Sequence, residues 1–286
     1  GAARAAYIAG FSATSNLEAG RTYGIPTMGT AAHSFTLLHD SEEDAFRAQL
    51  DALGVETTLL VDTYDVEAAI RKGVELTEGR LGAIRLDSGD LPMMARQARD
   101  LLDDLGATNT RITVTSDLDE WQIAALRGAP VDGFGVGTSL VTGSGHPTCG
   151  FVYKLVARSD SANREAPMTP VGKKSKGKNT LGGRKFAMRR LGENGRAEAE
   201  IIGLGAAPVG DDNDRNLLVD LVKDGQQVFQ GSLEDARTRH RESLAELPLA
   251  ALRISRGDPA IETIILDGTG AQTTNPYQAA PRPANL

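Results

Sequence analysis

From Ile25 to about Thr138 the apolar positions change period again and again. Short β-branched runs give way to stretches in which apolar residues recur at helical spacing. Thr57-Thr58-Leu59-Leu60-Val61-Asp62, Leu81-Gly82-Ala83-Ile84-Arg85, Arg111-Ile112-Thr113-Val114-Thr115 and residues 131–136 read as strands. Between them, Ala45, Phe46, Leu50 and Leu53, then Val66, Ala69, Ile70 and Val74, then Met94, Ala98, Leu101 and Leu105, each mark one face of a helix, and residues 121–126 a short one. Strand starts recur at about the length of a βα unit, which predicts a parallel sheet, open or closed into a barrel. Polar residues gather just past the predicted strand ends: Asp62 and Asp65, Asp87 and Asp90, Ser116 and Asp117, and Thr138. Ligands bind at that end of parallel sheets and barrels.

After about Gly143 the pattern becomes β-rich. Residues 151–156, 199–204 and 217–222 read as strands, residues 159–167 as a polar loop, and residues 233–247 as a helix with a charged face. The tail from Thr273, rich in Pro, Ala and Asn, predicts no fixed structure. The expected organisation is a catalytic core over 1–145, a β-rich part with a basic segment over 146–250, and an extension over 251–286.

Composition narrows the classes. The 286 residues suffice for a sizeable core. The net charge of −7 argues against nucleic acid as the main partner. The single cysteine, Cys149, excludes an intrachain disulfide and fits a reducing, cytoplasmic setting. No apolar run approaches the roughly 20 residues that span a bilayer, so no membrane association is expected. The chain opens on Gly1-Ala2-Ala3-Arg4, without a signal-peptide pattern, and a fragment or processed chain is expected.

Several residues carry both an ordinary and a chemical reading. His33 follows Gly29-Thr30-Ala31-Ala32 and precedes Phe35, Leu37 and Leu38, so it sits at a helix start. It is either a packing or capping residue or a nucleophile, because a helix N-terminus favours a neutral imidazole and can hold a phosphoryl product. In Arg85-Leu86-Asp87-Ser88-Gly89-Asp90, Ser88 or Asp90 can cap the next helix. One carboxylate can alternatively accept ribose hydroxyls or hold a Mg²⁺-water shell, with Arg85 orienting Asp87. Asp65 reads as a cap, and Asp62 as the better ligand candidate. In Gly133-Phe134-Gly135-Val136-Gly137-Thr138 the glycines serve tight packing or cradle a phosphate, and no helix clearly follows. Thr14-Ser15-Asn16 is a turn or a seat for a small anionic ring. Residues 171–190 carry eight basic side chains, Lys173 among them, and no acid, as a solvated face or a polyphosphate-facing loop. His39, His146 and His240 lack such a setting.

The stretch from Gly10-Phe11 through Thr14-Ser15-Asn16 to Gly20, Tyr23-Gly24-Ile25-Pro26 and Gly29 to His33 resembles nicotinate phosphoribosyltransferase. Asp62-Thr63-Tyr64-Asp65, Arg85 to Asp90, Gly133 to Thr138 and the basic segment follow in that family's order, and the resemblance reaches about Pro248. It implies a type II phosphoribosyltransferase fold: an irregular α/β barrel plus part of a second, mostly β domain. It implies ATP-coupled joining of nicotinate to phosphoribosyl pyrophosphate in NAD biosynthesis, with Mg²⁺, in a homodimer that shares its active sites. His33 matches the transiently phosphorylated histidine. Arg85 and Asp87 match ribose-side residues. Ser116, Gly135 and Gly137 fall where the 5′-phosphate binds, Ser15 near the nicotinate carboxylate, and Lys173 among residues reaching phosphates. The family also has an N-terminal region before the matched part, which supplies much of the second domain. Rival readings are a nicotinamide or quinolinate enzyme, a non-catalytic fragment binding phosphoribosyl ligands, and an unrelated phosphate-binding barrel such as an aldolase. The last lacks a strand-end lysine for a Schiff base.

Overall fold

A computed structural model of the chain describes residues 1–273 apart from 144, 145, 147, 149, 164, 176 and 177. Cys149, the tail beyond Thr273 and two residues of the basic stretch therefore lie outside the described residues. The chain divides into two compact units, one of Gly1–Tyr7 and Phe11–Cys149, the other of Ile8–Gly10 and everything from Gly150 on.

The first part of the chain runs α1 (Ala2–Ile8), α2 (Leu17–Tyr23), α3 (His33–Leu37), α4 (Glu42–Leu53), β1 (Thr58–Leu60), α5 (Val66–Leu76), β2 (Ala83–Leu86), α6 (Leu91–Asp104), β3 (Arg111–Val114), α7 (Glu120–Ala125), β4 (Gly133–Phe134) and α8 (Thr138–Thr142). Five of these helices, α2 and α4 to α7, start where the sequence offers a side-chain acceptor. Asn16, Ser41, Asp65, Asp90 and Asp119 each accept a hydrogen bond from a first-turn backbone N–H. The four strands form one parallel sheet in the order β1-β2-β3-β4. Sequential parallel order is that of a barrel arc, and the expected α/β architecture is present. Leu59, Ile84, Leu86, Ile112 and Val114 of the sheet pack with Ile70 of α5 and Ala95 and Leu102 of α6 in a single buried cluster. Near-continuous apolar strands are what a parallel sheet covered by helices requires.

The second unit holds β5 (Ala157–Arg158), β6 (Thr169–Pro170), β7 (Lys174–Ser175), β8 (Lys178–Asn179), β9 (Lys185–Leu191), β10 (Ala197–Leu204), β11 (Arg215–Asn216), β12 (Val222–Lys223), β13 (Gln226–Gln227), α9 (Leu233–Ala245), β14 (Glu262–Leu266) and β15 (Gln272–Thr273). Its main sheet has the order β11-β9-β10-β14-β15, antiparallel except for β10 with β14. Glu246, just past α9, takes charge-assisted bonds from Arg189 of β9 at 2.9 Å and Arg215 of β11 at 2.5 Å.

Three expectations are corrected. Residues 151–156 form no strand. Phe151 and Tyr153 are exposed, and backbone pairing begins only at Val156, whose carbonyl accepts from Val171 N–H at 2.9 Å, just before β5. Residues 217–221 likewise form no strand, with backbone bonds only at their ends: Leu217 N–H donates to the Ala187 carbonyl at 2.9 Å and the Leu221 carbonyl accepts from Val228 N–H at 3.0 Å, before the chain turns at Asp224 and Gly225, both with positive φ, in the β12–β13 hairpin. Both segments are apolar runs whose middles carry no ladder bonds among the described residues, and periodicity alone does not supply them. A helix, α8, does follow the glycine-rich strand end.

Leu102 is fully buried between α6 and the sheet. Leu102→Ala is expected to lower the unfolding free energy by about 2–5 kcal/mol in urea denaturation. A loss of only a few tenths of a kcal/mol, as about an exposed site gives, would contradict this packing.

Candidate active site

Strand register builds the site. Leu60 lies opposite Arg85, Leu86 opposite Val114, and Val114 opposite Phe134. Carried past the ladder ends, the same register sets Asp62, Asp87, Thr115 and Gly135 in one row across the C-terminal edge of the sheet. Three bonds continue the ladder there: Val61 N–H to the Arg85 carbonyl at 3.2 Å, Thr115 N–H to the Leu86 carbonyl at 2.9 Å and Gly135 N–H to the Val114 carbonyl at 2.9 Å. Gly135 has to be small, since a Cβ there would sit 2.5 Å from Cγ2 of Thr115.

Arg85 ties this row to the loop before α3. Its Nη2 donates to Oδ1 of Asp87 at 2.7 Å and its Nε to Oγ1 of Thr115 at 2.7 Å. Its Nη1 donates to Oγ1 of Thr30 at 2.6 Å and to the carbonyl of Ala31 at 3.2 Å. A planar guanidinium with fixed donor directions can hold four acceptors from three chain segments at once, whereas an ammonium on a flexible stem cannot. The Thr115 hydroxyl in turn donates to Oδ1 of Asp87. Arg85 thus holds Oδ1 of Asp87 and the Thr115 hydroxyl against one guanidinium.

The loop so anchored delivers His33, the first residue of α3, whose N-cap Ala32 makes no side-chain cap bond. Nδ1 of His33 lies 3.1 Å from Oγ1 of Thr63. Nε2 faces two carboxylates, Oδ1 of Asp62 at 3.7 Å and Oδ2 of Asp87 at 3.6 Å. Two acceptor-only groups on that side favour the proton on Nε2, which leaves Nδ1 to accept from Thr63. The Asp62 side chain is only 4% exposed. Its Oδ2 accepts from the Asp87 N–H at 2.8 Å and the Ser88 hydroxyl at 3.3 Å, while its Oδ1 is buried with no hydrogen-bond partner. A buried carboxylate oxygen without a donor marks a place for a cation, a donor or a substrate hydroxyl. Burial pushes the Asp87 carboxyl up. Hydrogen bonds from Thr115 and Arg85, with the nearby Arg85 and His33 charges, outweigh that and hold it below its ordinary 3.8.

Other expected residues fall as follows. Asp90 is exposed and caps α6 through Met93 N–H, so its capping reading is the one the geometry carries. Ser116 and Asp117 follow Thr115 at the β3 end, both exposed. Ser116 has φ 131°, a conformation that costs a non-glycine residue about 1–3 kcal/mol and concentrates at functional sites. Gly137 and Thr138 start α8, next along the edge. Thr14 forms an isolated parallel bridge with Thr27, three residues before Thr30, and Ser15 is exposed beside it. Lys173 belongs to the second unit and is exposed, its backbone N–H bonded to Thr180. The basic stretch is divided among β7, β8 and β9. Lys185 donates to the carbonyls of Leu181 and Gly183, and Arg189 is paired with Glu200 and Glu246. The residues missed were three hydroxyls, Thr30, Thr63 and Thr115. Only the position of Thr115 at a strand end beside Ser116 signalled it. Among the described residues no group of three or more His, Cys, Asp or Glu side chains could hold a metal by itself, and no helix is long and apolar enough to cross a membrane.

No protein-family model matches the chain. The chain is 52% identical to a nicotinate phosphoribosyltransferase, pncB1 of Mycobacterium tuberculosis, over 92% of its own length and 59% of that protein's. It is 41% identical to the nicotinate phosphoribosyltransferase of Bacillus subtilis over 191 residues, 60% of this chain and 39% of that one. It thus spans about three-fifths of the first relative. The motif-based resemblance agrees with these relatives. Among solved structures, human nicotinic acid phosphoribosyltransferase superposes with a TM-score of 0.68 at 23% identity, over 92% of this chain and 64% of that one. A nicotinate-nucleotide pyrophosphorylase from Pyrococcus furiosus gives 0.64 at 23%, over 85% and 61%. The two share the fold.

A carboxyl whose folded pKa is depressed stabilises the protein above its unfolded pKa, and that contribution is lost as pH falls through the folded value. Asp87→Asn is therefore expected to cost about 1–3 kcal/mol at neutral pH. The difference from the unsubstituted chain should shrink as pH drops below 3.8. Urea denaturation across that range checks this; a difference independent of pH would contradict the assignment.

Proposed function

We propose that this chain belongs to the nicotinate phosphoribosyltransferases and carries the phosphoribosyl- and ATP-handling part of their site. The proposed reaction joins nicotinate to phosphoribosyl pyrophosphate, giving nicotinate mononucleotide and pyrophosphate, coupled to hydrolysis of ATP. The observation that carries this reading is His33 held between Asp62 and Asp87 at the strand ends, in a chain 52% identical to a nicotinate phosphoribosyltransferase. The aligned stretch is 59% of that relative, so the reading concerns the site this stretch holds.

In the proposed reaction the pyridine nitrogen bonds to C1 of the ribose as the C1–oxygen bond to pyrophosphate breaks. Positive charge builds on the ribose and negative charge on the leaving group. The Asp87 carboxylate, ionised and fixed by Arg85, is suited to accept ribose hydroxyls and to lie against that positive charge. Gly135, whose lack of a side chain leaves the edge open, with Ser116, Asp117, Gly137 and Thr138, lines the edge where a 5′-phosphate would rest. Thr14 and Ser15 are the candidates for the nicotinate side.

Mg²⁺ fits the donors present. The unpartnered Oδ1 of Asp62 and Oδ2 of Asp87 are hard oxygens facing one space, and this ion is commonly bound by one or two carboxylates together with substrate phosphates. There it would neutralise developing charge on pyrophosphate.

His33 is proposed as the acceptor of the terminal phosphoryl group of ATP, with ADP leaving and the phosphoryl later passing to water. Each phosphorylation state then binds the other substrates with a different free energy, and the coupling runs both ways. We place Lys173 among the cations meeting the phosphates, in a homodimer whose copies share sites, and the reaction in the cytoplasm. The sequence relatives support the nicotinate reading over a nicotinamide or quinolinate enzyme.

Nicotinate mononucleotide formation, followed by chromatography with and without ATP, tests the proposal. ATP-stimulated product is expected, and His33→Ala is expected to abolish the stimulation while far-ultraviolet circular dichroism stays unchanged. Equal ATP stimulation in His33→Ala would overturn the role of His33.

A further inference from the structure

We propose that Thr115 is a positioning residue of this site: its hydroxyl pins one oxygen of Asp87, so that the other faces His33 and the substrate. This rests on the reading above for what the site does, but the geometry that carries it is local. A guanidinium donates and cannot accept, so the bond from Nε of Arg85 to Oγ1 of Thr115, at 2.7 Å, fixes the hydroxyl as acceptor toward Arg85. Its own proton then goes to Oδ1 of Asp87. That oxygen also takes Nη2 of Arg85 at 2.7 Å. Two donors converging on Oδ1 set the plane of the carboxylate and leave Oδ2 turned to Nε2 of His33 at 3.6 Å. Arg85 alone would hold Oδ1 at one point and leave the carboxylate free to rotate about it.

Thr115 is itself held at three points. Its backbone N–H is bonded to the Leu86 carbonyl at 2.9 Å, its Oγ1 is fixed by Arg85, and its methyl lies where a side chain at residue 135 would go. Thr115→Val keeps the shape and removes the proton donor. It leaves Nε of Arg85 without its acceptor and Asp87 with one donor fewer. Thr115→Ser keeps the hydroxyl and removes the methyl.

The test is the Cγ chemical shift of Asp87 at one neutral pH, read by carbon NMR of labelled aspartate in the full chain and assigned through Asp87→Asn, together with kcat and KM for phosphoribosyl pyrophosphate. In Thr115→Val a displaced Asp87 signal is expected, with kcat falling by more than KM changes, since the carboxylate is then misplaced and not lost. In Thr115→Ser both should stay near those of the unsubstituted chain, which a purely packing role for the methyl would not give. Thr115→Ala, which adds no bulk, carries the same expectation as valine should the valine variant not fold. An Asp87 signal unmoved in the variants lacking the hydroxyl, or moved equally in Thr115→Ser, overturns the proposal. A displaced signal in a chain that makes no nicotinate mononucleotide would sink the proposed reaction and leave the pinning of Asp87 by Thr115 standing.

Discussion

The guanidinium of Arg85 is the constraint on which the site depends. It binds Thr30 and Ala31 on the loop before His33, Thr115 past β3, and Asp87 past its own strand. With a side chain 16% exposed, it is a charge largely withdrawn from water, and such a charge is tolerated only when its donors are satisfied. That demand fixes the loop. The loop fixes the ring of His33, and the ring meets Asp62 and Asp87 only because the loop stands where it does.

Beneath this lies strand register. Because Asp62, Asp87, Thr115 and Gly135 occupy one row, a backbone ladder sets the spacing of the site's side chains. The apolar faces below, centred on Ile84, Leu86, Ile112 and Val114, fix that ladder, since a slip by one residue would bring polar neighbours inward. Packing energy thereby buys positional precision at the edge, where proposed chemistry needs fixed groups in place of reorganising water. The unsatisfied Oδ1 of Asp62 and the unusual φ of Ser116 are features a stability-optimised edge would lack, and both sit on that edge.

Much of this was legible in the sequence. The βα alternation pointed to the parallel sheet, because short continuous apolar runs between stretches of helical period are what strands covered by helices leave in a sequence. The capping residues Asp65 and Asp90 and the strand-end acids Asp62 and Asp87 followed from position alone. Gln49 shows the limit: it is buried in the apolar face of α4, and its amide is satisfied by Thr57 and the Thr58 carbonyl, partners that local periodicity does not reveal. The threonines of the site escaped for a similar reason. A lone hydroxyl reads as turn or strand until the fold brings Arg85 to it. In the second unit the apolar runs near residues 151 and 217 carried strand propensity, but ladder bonds reach only their ends, at Val156, Leu217 and Leu221, because propensity does not supply partners for the rest. The basic stretch divided for an electrostatic reason, with Arg189 committed to Glu200 and Glu246 and Lys173 left exposed.

The measurement that bears most directly on this account is transfer of phosphate from γ-labelled ATP to the chain in the presence of Mg²⁺, with the label mapped by peptide analysis under conditions that preserve phosphohistidine, in the unsubstituted chain and in Arg85→Lys. Label is expected on His33 of the unsubstituted chain and a loss of at least about tenfold in Arg85→Lys, since a lysine keeps the charge but cannot hold Thr30, Thr115 and Asp87 together. Equal labelling of the two, or no label on His33 of the unsubstituted chain, would contradict the claim that Arg85 assembles a phosphoryl-accepting histidine.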